Sequence, residues 1–292
     1  VDNMSTGRLS NVEDLTASRD FRLLHGDVVE PIDLHGDVEA VCHLASPASP
    51  QAYLAHPVET LLAGSAGTRH SLELARKKQA RYLLASTSEV YGDPQIHPQP
   101  EHYWGHVNPI GPRSVYDEAK RFAEALTTAY LHTHGVDTKI ARIFNTYGPG
   151  MRADDGRIVS TFIRQAMEGE PITVHGDGRQ TRSLCYVEDT VEGLVRLLRS
   201  PHHGPVNIGN PRELSVRRIA EMIREVTGSR SSIVSLPRMV DDPEVRCPDI
   251  GLAFDILGWA PSTTLEQGLQ ITADHLAREP GPQFAAAATS QS

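Results

Sequence analysis

An α/β fold with a doubly wound parallel sheet is what this sequence predicts, and three observations carry the prediction. Short apolar runs of strand length recur at 38–45, 82–85 and 138–144. Long amphipathic runs at 54–78 and 114–134 separate them, the alternation expected of parallel βαβ units. Polar residues follow the apolar runs directly, with Ser86-Thr87-Ser88-Glu89 closing the second, at the carboxyl edge where such sheets place ligands.

Taken in order, 21–28 reads as a strand ending in the turn-forming Gly26-Asp27, and 38–45 as a clean apolar strand. The helix at 54–78 is entered near Pro57 and is apolar through Leu61, Leu62, Leu72, Leu74 and Ala75, with Gly64 in its interior at a cost of about 1 kcal/mol against alanine. Gly111-Pro112 breaks the chain before the helix at 114–134, and the β-branched strand at 138–144 runs into Asn145-Thr146-Tyr147-Gly148-Pro149. Beyond it come a helix at 158–168, a strand at 171–175, a helix opened by Tyr186-Val187-Glu188-Asp189, a strand at 205–210 and a helix capped by Ser215. The division expected is 1–144 for cofactor binding, 145–278 mainly for substrate with segments crossing between the two, and a disordered tail at 279–292.

The 292 residues suffice for a large core. Twenty-eight basic against 37 acidic residues give a net charge of −9 with no basic run, which argues against a nucleic-acid or anionic-membrane partner. With no apolar stretch of membrane-spanning length and no leader pattern, the chain reads as cytoplasmic. Cys42, Cys185 and Cys247 lie far apart, and no His-x-x-x-His or Cys-x-x-Cys spacing accompanies the 14 histidines, so no metal site is expected.

The chemistry concentrates between residues 86 and 120. Tyr116 and Lys120 are four apart on a predicted helix and share a face. A free tyrosine titrates near pH 10, so a lysine ammonium one turn away is expected to lower that pKa and make the phenol a usable base. Thr87 adds a hydroxyl able to hold the same substrate oxygen. A Tyr-x-x-x-Lys pair alone is ordinarily a solvated helix face; the Ser/Thr cluster at a strand end reverses that reading.

Thr87, Tyr116 and Lys120 resemble the catalytic triad of the extended short-chain dehydrogenase/reductases. Within that family, the runs from Ser86 to Pro94 and from Tyr103 to Pro109, with Gly111-Pro112-Arg113, resemble the UDP-glucuronate decarboxylase branch. The similarity extends from Val1 to about residue 278. It implies a Rossmann-like sheet, tightly held NAD, a UDP-sugar substrate and a homodimer formed through the Tyr-x-x-x-Lys helix. It also implies an internal redox cycle: oxidation at C4 of the sugar with Tyr116 as base, loss of carbon dioxide from the β-keto acid, and reduction back to UDP-xylose. Glu89 is expected to position water or the ring and to assist reprotonation at C5.

For the cofactor, the resemblance implies contacts from Asp2, Asn3, Thr6 and Gly7, from Asp27 and Val28, from Leu44, Ala45 and Ser46, and from Thr146, Tyr116 and Lys120. For the substrate it implies Pro47 of the run Pro47-Ala48-Ser49-Pro50, with Ser88, Asn145, Arg182 and Arg246. Arginine suits this task, because its planar fork donates two parallel hydrogen bonds to a phosphate or carboxylate. Ser88 stands where the sugar 4,6-dehydratases carry an acid, which disfavours dehydration; a UDP-glucuronate 4-epimerase is the nearer alternative.

Two departures weigh against full activity. Ala63-Gly64 replaces the family's Thr-Asn pair. No G-x-G-x-x-G or G-x-x-G-x-x-G occurs in the chain, which opens at the segment resembling the end of the second strand, so a truncated sequence is expected. A non-catalytic sugar-nucleotide-binding homologue is the competing reading from another class.

Overall fold

The computed structural model describes residues 1–238 and 242–278; the tail expected at 279–292 lies outside them. The chain runs β1 (Ala40–His43), α1 (Pro50–Ala55), α2 (Pro57–Leu62), a π-helical turn (Ala63–Gly67), α3 (Thr68–Lys78) and β2 (Arg81–Thr87). Then come α4 (Ser114–His134), β3 (Thr138–Ile143), β4 (Thr146–Tyr147), α5 (Ile158–Glu168), β5 (Ile172–His175), β6 (Thr181–Ser183), β7 (Cys185–Tyr186) and α6 (Val187–Arg199). β8 (Pro205–Ile208), β9 (Glu213–Ser215), α7 (Val216–Thr227), β10 (Ile233–Leu236), α8 (Gly251–Leu257) and α9 (Leu265–Arg278) complete it.

β1, β2, β3 and β8 form one parallel sheet in that order, with Tyr82 opposite Thr138 and Ile140 opposite Pro205. Side chains alternate across a strand, so β2 serves two cores. Tyr82 and Leu84 meet Leu72 and Ala75 of α3 and Ala123 of α4; Leu83 on the opposite face joins Leu197, Val206, Ala253 and Trp259. Helices therefore cover both faces, as the doubly wound pattern requires. A third core unites α5, α7, α9 and β5 around Phe162, Ile163, Ile172, Ile219 and Leu269. The chain after residue 144 divides between these layers, with α6, β8 and α8 returning to the parallel sheet.

Two predicted elements differ. The strand expected at 21–28 is reduced to a single parallel bridge between Asp2 and His25, because no further strand lies beside it to extend a ladder. The helix expected at 54–78 is broken at His56-Pro57, where proline supplies no N–H, and widened into the π-helical turn at the Ala63-Gly64 pair. The reason is tertiary: a Cβ on Gly64 would stand 2.7 Å from the Cβ of Ala119 and 2.8 Å from its carbonyl oxygen. Gly64 lets this helix touch the backbone of α4. Its helical cost thus comes with a packing gain the sequence did not reveal.

A buried ion-pair network ties α4 to the sheet. Arg142 of β3 donates to both carboxylate oxygens of Glu124 (2.9 and 2.7 Å) and to the Tyr91 hydroxyl (3.0 Å), while Ser86 Oγ donates to Glu124 (2.5 Å). Tyr91 in turn donates to Asn207 of β8 (2.8 Å). α4 is thereby held over the carboxyl edge of β2 and β3.

Candidate active site

β2 ends at Thr87, and the chain turns at once into a 3-10 turn at Ser88–Tyr91 because Thr87 Oγ1 accepts the Glu89 N–H (3.2 Å). α4 crosses this edge and buries Tyr116 and Lys120 one turn apart. Lys120 Nζ donates to the Ala85 carbonyl (2.8 Å) and lies 5.7 Å from the centre of the Tyr116 ring. Tyr53 of α1 stacks on that ring at 5.2 Å, with planes 8° apart. Thr87, Ser88, Tyr116 and Lys120 all line one cavity of about 390 Å³.

The electrostatics correct one expectation. Tyr116 is not pulled below the ordinary tyrosine range but pushed up to about 12, by burial first and the Glu89 charge second, with the Thr87 hydrogen bond opposing. Lys120 is not among the leading contributors to that balance. Desolvation instead lowers its own pKa to about 8, because the ammonium is enclosed with one carbonyl partner. His43 beneath it is lowered to about 4 by burial and by the Lys120 charge, with Nε2 3.3 Å from the Ala63 carbonyl oxygen, so its ring is neutral.

Glu89, which lines the same cavity, is clamped. Oε2 accepts from Arg113 (2.6 Å) and Oε1 from Arg246 (2.6 Å). Burial favours the neutral acid, but the two guanidinium groups overcome it and hold the carboxyl at about 2. Arg182 donates to Asp242 (2.8 Å) and to the carbonyls of Thr181 and Pro243 (2.7 and 3.0 Å). Asn145, Arg182 and Arg246 line the same cavity as Tyr116. Among the described residues that line this cavity, three donors are buried without an acceptor: Arg113 Nε, Asn145 Nδ2 and Arg246 Nη2. A buried N–H left unpaired costs roughly 1–3 kcal/mol, so the site is built for a ligand rich in acceptor oxygens.

The remaining residues divide. Ser46 and Thr146 line both this cavity and a neighbouring one of about 630 Å³, which Thr6 also lines; Leu44 lines the first. Pro47 is buried and, with Ala45, lines neither: Ser46 and Ala48 present themselves in their place. Asp2, Asn3, Gly7 and Asp27 lie together on an exposed edge, where Asn3 Nδ2 donates to Asp27 (2.9 Å) and Asp2 accepts the Met4 N–H (2.7 Å). Val28 packs against Gly67, whose missing Cβ would stand 2.9 Å from it.

These residues were compared with known proteins. The description "NAD dependent epimerase/dehydratase family" matches residues 3–209. The chain belongs to this family. This epimerase/dehydratase chain is 52% identical over 279 residues to UDP-glucuronic acid decarboxylase 1 of Danio rerio, covering 96% of the chain and 66% of that protein. It is 51% identical over 271 residues to UDP-glucuronic acid decarboxylase 2 of Arabidopsis thaliana, covering 93% and 60%. The chain thus spans slightly under two thirds of the length of such relatives. Among solved structures, UDP-glucose 4-epimerase of Thermotoga maritima superposes with a TM-score of 0.85 at 24% identity, covering 95% of this chain and 89% of that one. UDP-glucuronic acid 4-epimerase of Bacillus cereus, solved with UDP-glucuronic acid and NAD, gives 0.80 at 24%, covering 92% and 86%.

NAD fits the donor set on the Tyr116 side. Lys120 has two N–H groups beyond its bond to Ala85, suited to a ribose diol, and Ser46 and Thr146 line the cavity, with the Thr146 hydroxyl bonded to the Phe144 carbonyl and beside Thr190. Arg113 and Tyr53 were missed by sequence reasoning. Arg113 stood inside the quoted Gly-Pro-Arg run without a role, since its partner Glu89 is 24 residues away; nothing marked Tyr53, which meets Tyr116 only through packing.

Proposed function

We propose that this chain carries the catalytic and substrate-binding residues of an NAD-dependent decarboxylase that converts UDP-glucuronate to UDP-xylose through a UDP-4-keto sugar. One observation carries the reading: Glu89 clamped between Arg113 and Arg246 in the Tyr116 cavity, with a buried Arg246 N–H awaiting an acceptor. The naming of relatives at 51–52% identity supports it.

Ser46, Tyr116, Lys120 and Thr146 would hold NAD, which when bound would supply hydride chemistry at C4 and a positive ring charge favouring the phenolate. Tyr116 takes the proton of the 4-hydroxyl and returns it, and Thr87 holds the same oxygen by hydrogen bonding. Once C4 is a ketone, the C5–carboxylate bond breaks, and its electron pair flows into the carbonyl to give an enolate whose oxygen Tyr116 and Thr87 stabilise. Arg246 and Asn145 supply donors for the acidic sugar nucleotide, and Arg182 reinforces the positive field. Glu89, expected to assist reprotonation, is held ionised at neutral pH. It therefore orients Arg246 and water, and the proton that reaches C5 comes from solvent.

The homodimer is part of this proposal. Leu54, Val58, Leu62 and Phe122 are exposed on α1, α2 and the adjoining α4. Light scattering is expected to give a dimer, and Phe122→Asp a monomer.

The test is incubation with UDP-glucuronate and NAD, followed by mass spectrometry of the sugar nucleotide. Loss of the mass of carbon dioxide is the expected result. A 4-epimer seen by proton NMR assigns the epimerase instead, and bound but unaltered substrate assigns the non-catalytic homologue.

A further inference from the structure

Behind the two substrate-facing arginines lies a second cluster of chemistry-bearing groups. His97, Glu213 and Cys247 come from three segments of the chain, and their ligand atoms lie within 4.8 Å of one another. We propose that His97 Nε2, the Glu213 carboxylate and Cys247 Sγ form a binding site for a zinc-class divalent cation, with water as the fourth ligand.

The donor types are those zinc takes, one imidazole, one carboxylate and one thiolate. Bond lengths of about 2.0–2.3 Å place tetrahedral ligand atoms about 3.2–3.8 Å apart. His97 Nε2 and Glu213 Oε2 stand at 2.9 Å and need to part slightly, while the widest separation needs to close by about 1 Å. The present contacts of the sulfur are weak, at 3.4 Å to the Pro211 carbonyl and 3.9 Å to that of Pro248.

The surroundings add an independent sign. Ser183, opposite the ligand Glu213 across the β6–β9 ladder, is fully buried, and its hydroxyl meets no partner within hydrogen-bonding geometry. Gln99, also fully buried, links two ligands: its Oε1 accepts the Cys247 N–H (2.9 Å) and its Nε2 lies 3.4 Å from His97 Nδ1. Ligation through Nε2 leaves the ring proton on Nδ1, so that long contact is given up. His97 is exposed at the outer side, which provides the entry path and the water position.

The site adjoins the arginines by covalent geometry. Cys247 follows Arg246, and Glu213 pairs with Ser183, next to Arg182, across the antiparallel β6–β9 ladder. A bound cation therefore cross-links the segments that carry both.

The test uses reduced, metal-free chain titrated with Zn²⁺ alone and with Co²⁺ as a spectroscopic probe. One zinc per chain with proton release is expected, and Co²⁺ should give a thiolate-to-metal charge-transfer band. That band should vanish in Cys247→Ser, survive in Cys42→Ser, and zinc affinity should fall about tenfold or more in His97→Ala. Absence of the band, or its survival in Cys247→Ser, overturns the proposal. Should Cys247→Ser not fold, alkylation of the parent chain with peptide mapping decides. Zinc must protect Cys247, and equal labelling with and without zinc refutes the site.

Discussion

Two groups of residues in the wall of the central cavity, one around Tyr116 and one around Glu89, hold their polar groups by different means. On the Tyr116 wall the groups come from one strand end and one helical turn, and burial dominates: Tyr116 is pushed up to about 12 and Lys120 down to about 8. On the Glu89 wall they come from residues 89, 113, 182, 242 and 246, and at Glu89 itself charge wins: two guanidinium groups hold its carboxyl at about 2 against the same burial. Desolvation holds Tyr116 as the neutral phenol at neutral pH and brings Lys120 near its titration, so proton exchange at Tyr116 needs a further positive charge beside it. A saturated wall suits groups that stay charged and give an anion a fixed place to lie.

The sharpest way to break this contrast is Tyr116→Phe. Turnover should fall by about 10²–10⁴ or more while UDP affinity, measured by calorimetry, stays within a few-fold. A comparable loss of UDP affinity would mean that the two walls are one functional unit. Arg246→Ala acts on the other wall and leaves Glu89 with a single partner. Chemical denaturation should show a loss of about 3–5 kcal/mol, and Glu89→Gln in the same chain should recover part of it.

Gly64→Ala probes the Tyr116 wall through its backbone contact. The added methyl meets Ala119 at 2.7 Å, so stability should drop by about 1–3 kcal/mol, with turnover falling further than UDP binding. Unchanged stability would show that α4 can move aside.

The smallest effect separates the walls by pH. Glu89 has a folded pKa below its ordinary 4.5, so its contribution is present above 4.5 and is lost as pH falls toward 2. Asp117, buried beside the clamp with Oδ1 unpartnered, is raised from 3.8 to about 8 by burial and by the Glu89 charge. Its contribution is full below 3.8 and is lost as pH rises through 8. Asp117→Asn should therefore flatten the decline between those limits and leave the variant more stable than the parent at pH 8, by something on the order of 1 kcal/mol. An unchanged slope in thermal unfolding would place Asp117 in solvent contact.

The sequence by itself determined the layered α/β architecture and the Tyr116 wall, because both are written in local periods. Strand alternation, helical spacing and a four-residue step are enough to put Thr87, Tyr116 and Lys120 at one sheet edge. Arg182 and Arg246 were found only through resemblance, and the charge state of Tyr116 was expected with the wrong sign, since spacing reports proximity and not desolvation. Tertiary structure alone decided the partner of Glu89 in Arg113, the stacking of Tyr53, the role of Gly64, and the meeting of His97, Glu213 and Cys247. Each joins residues with no periodic relation in the chain. Their encounter depends on how helices and loops pack across the sheet, and packing is settled by the whole core at once.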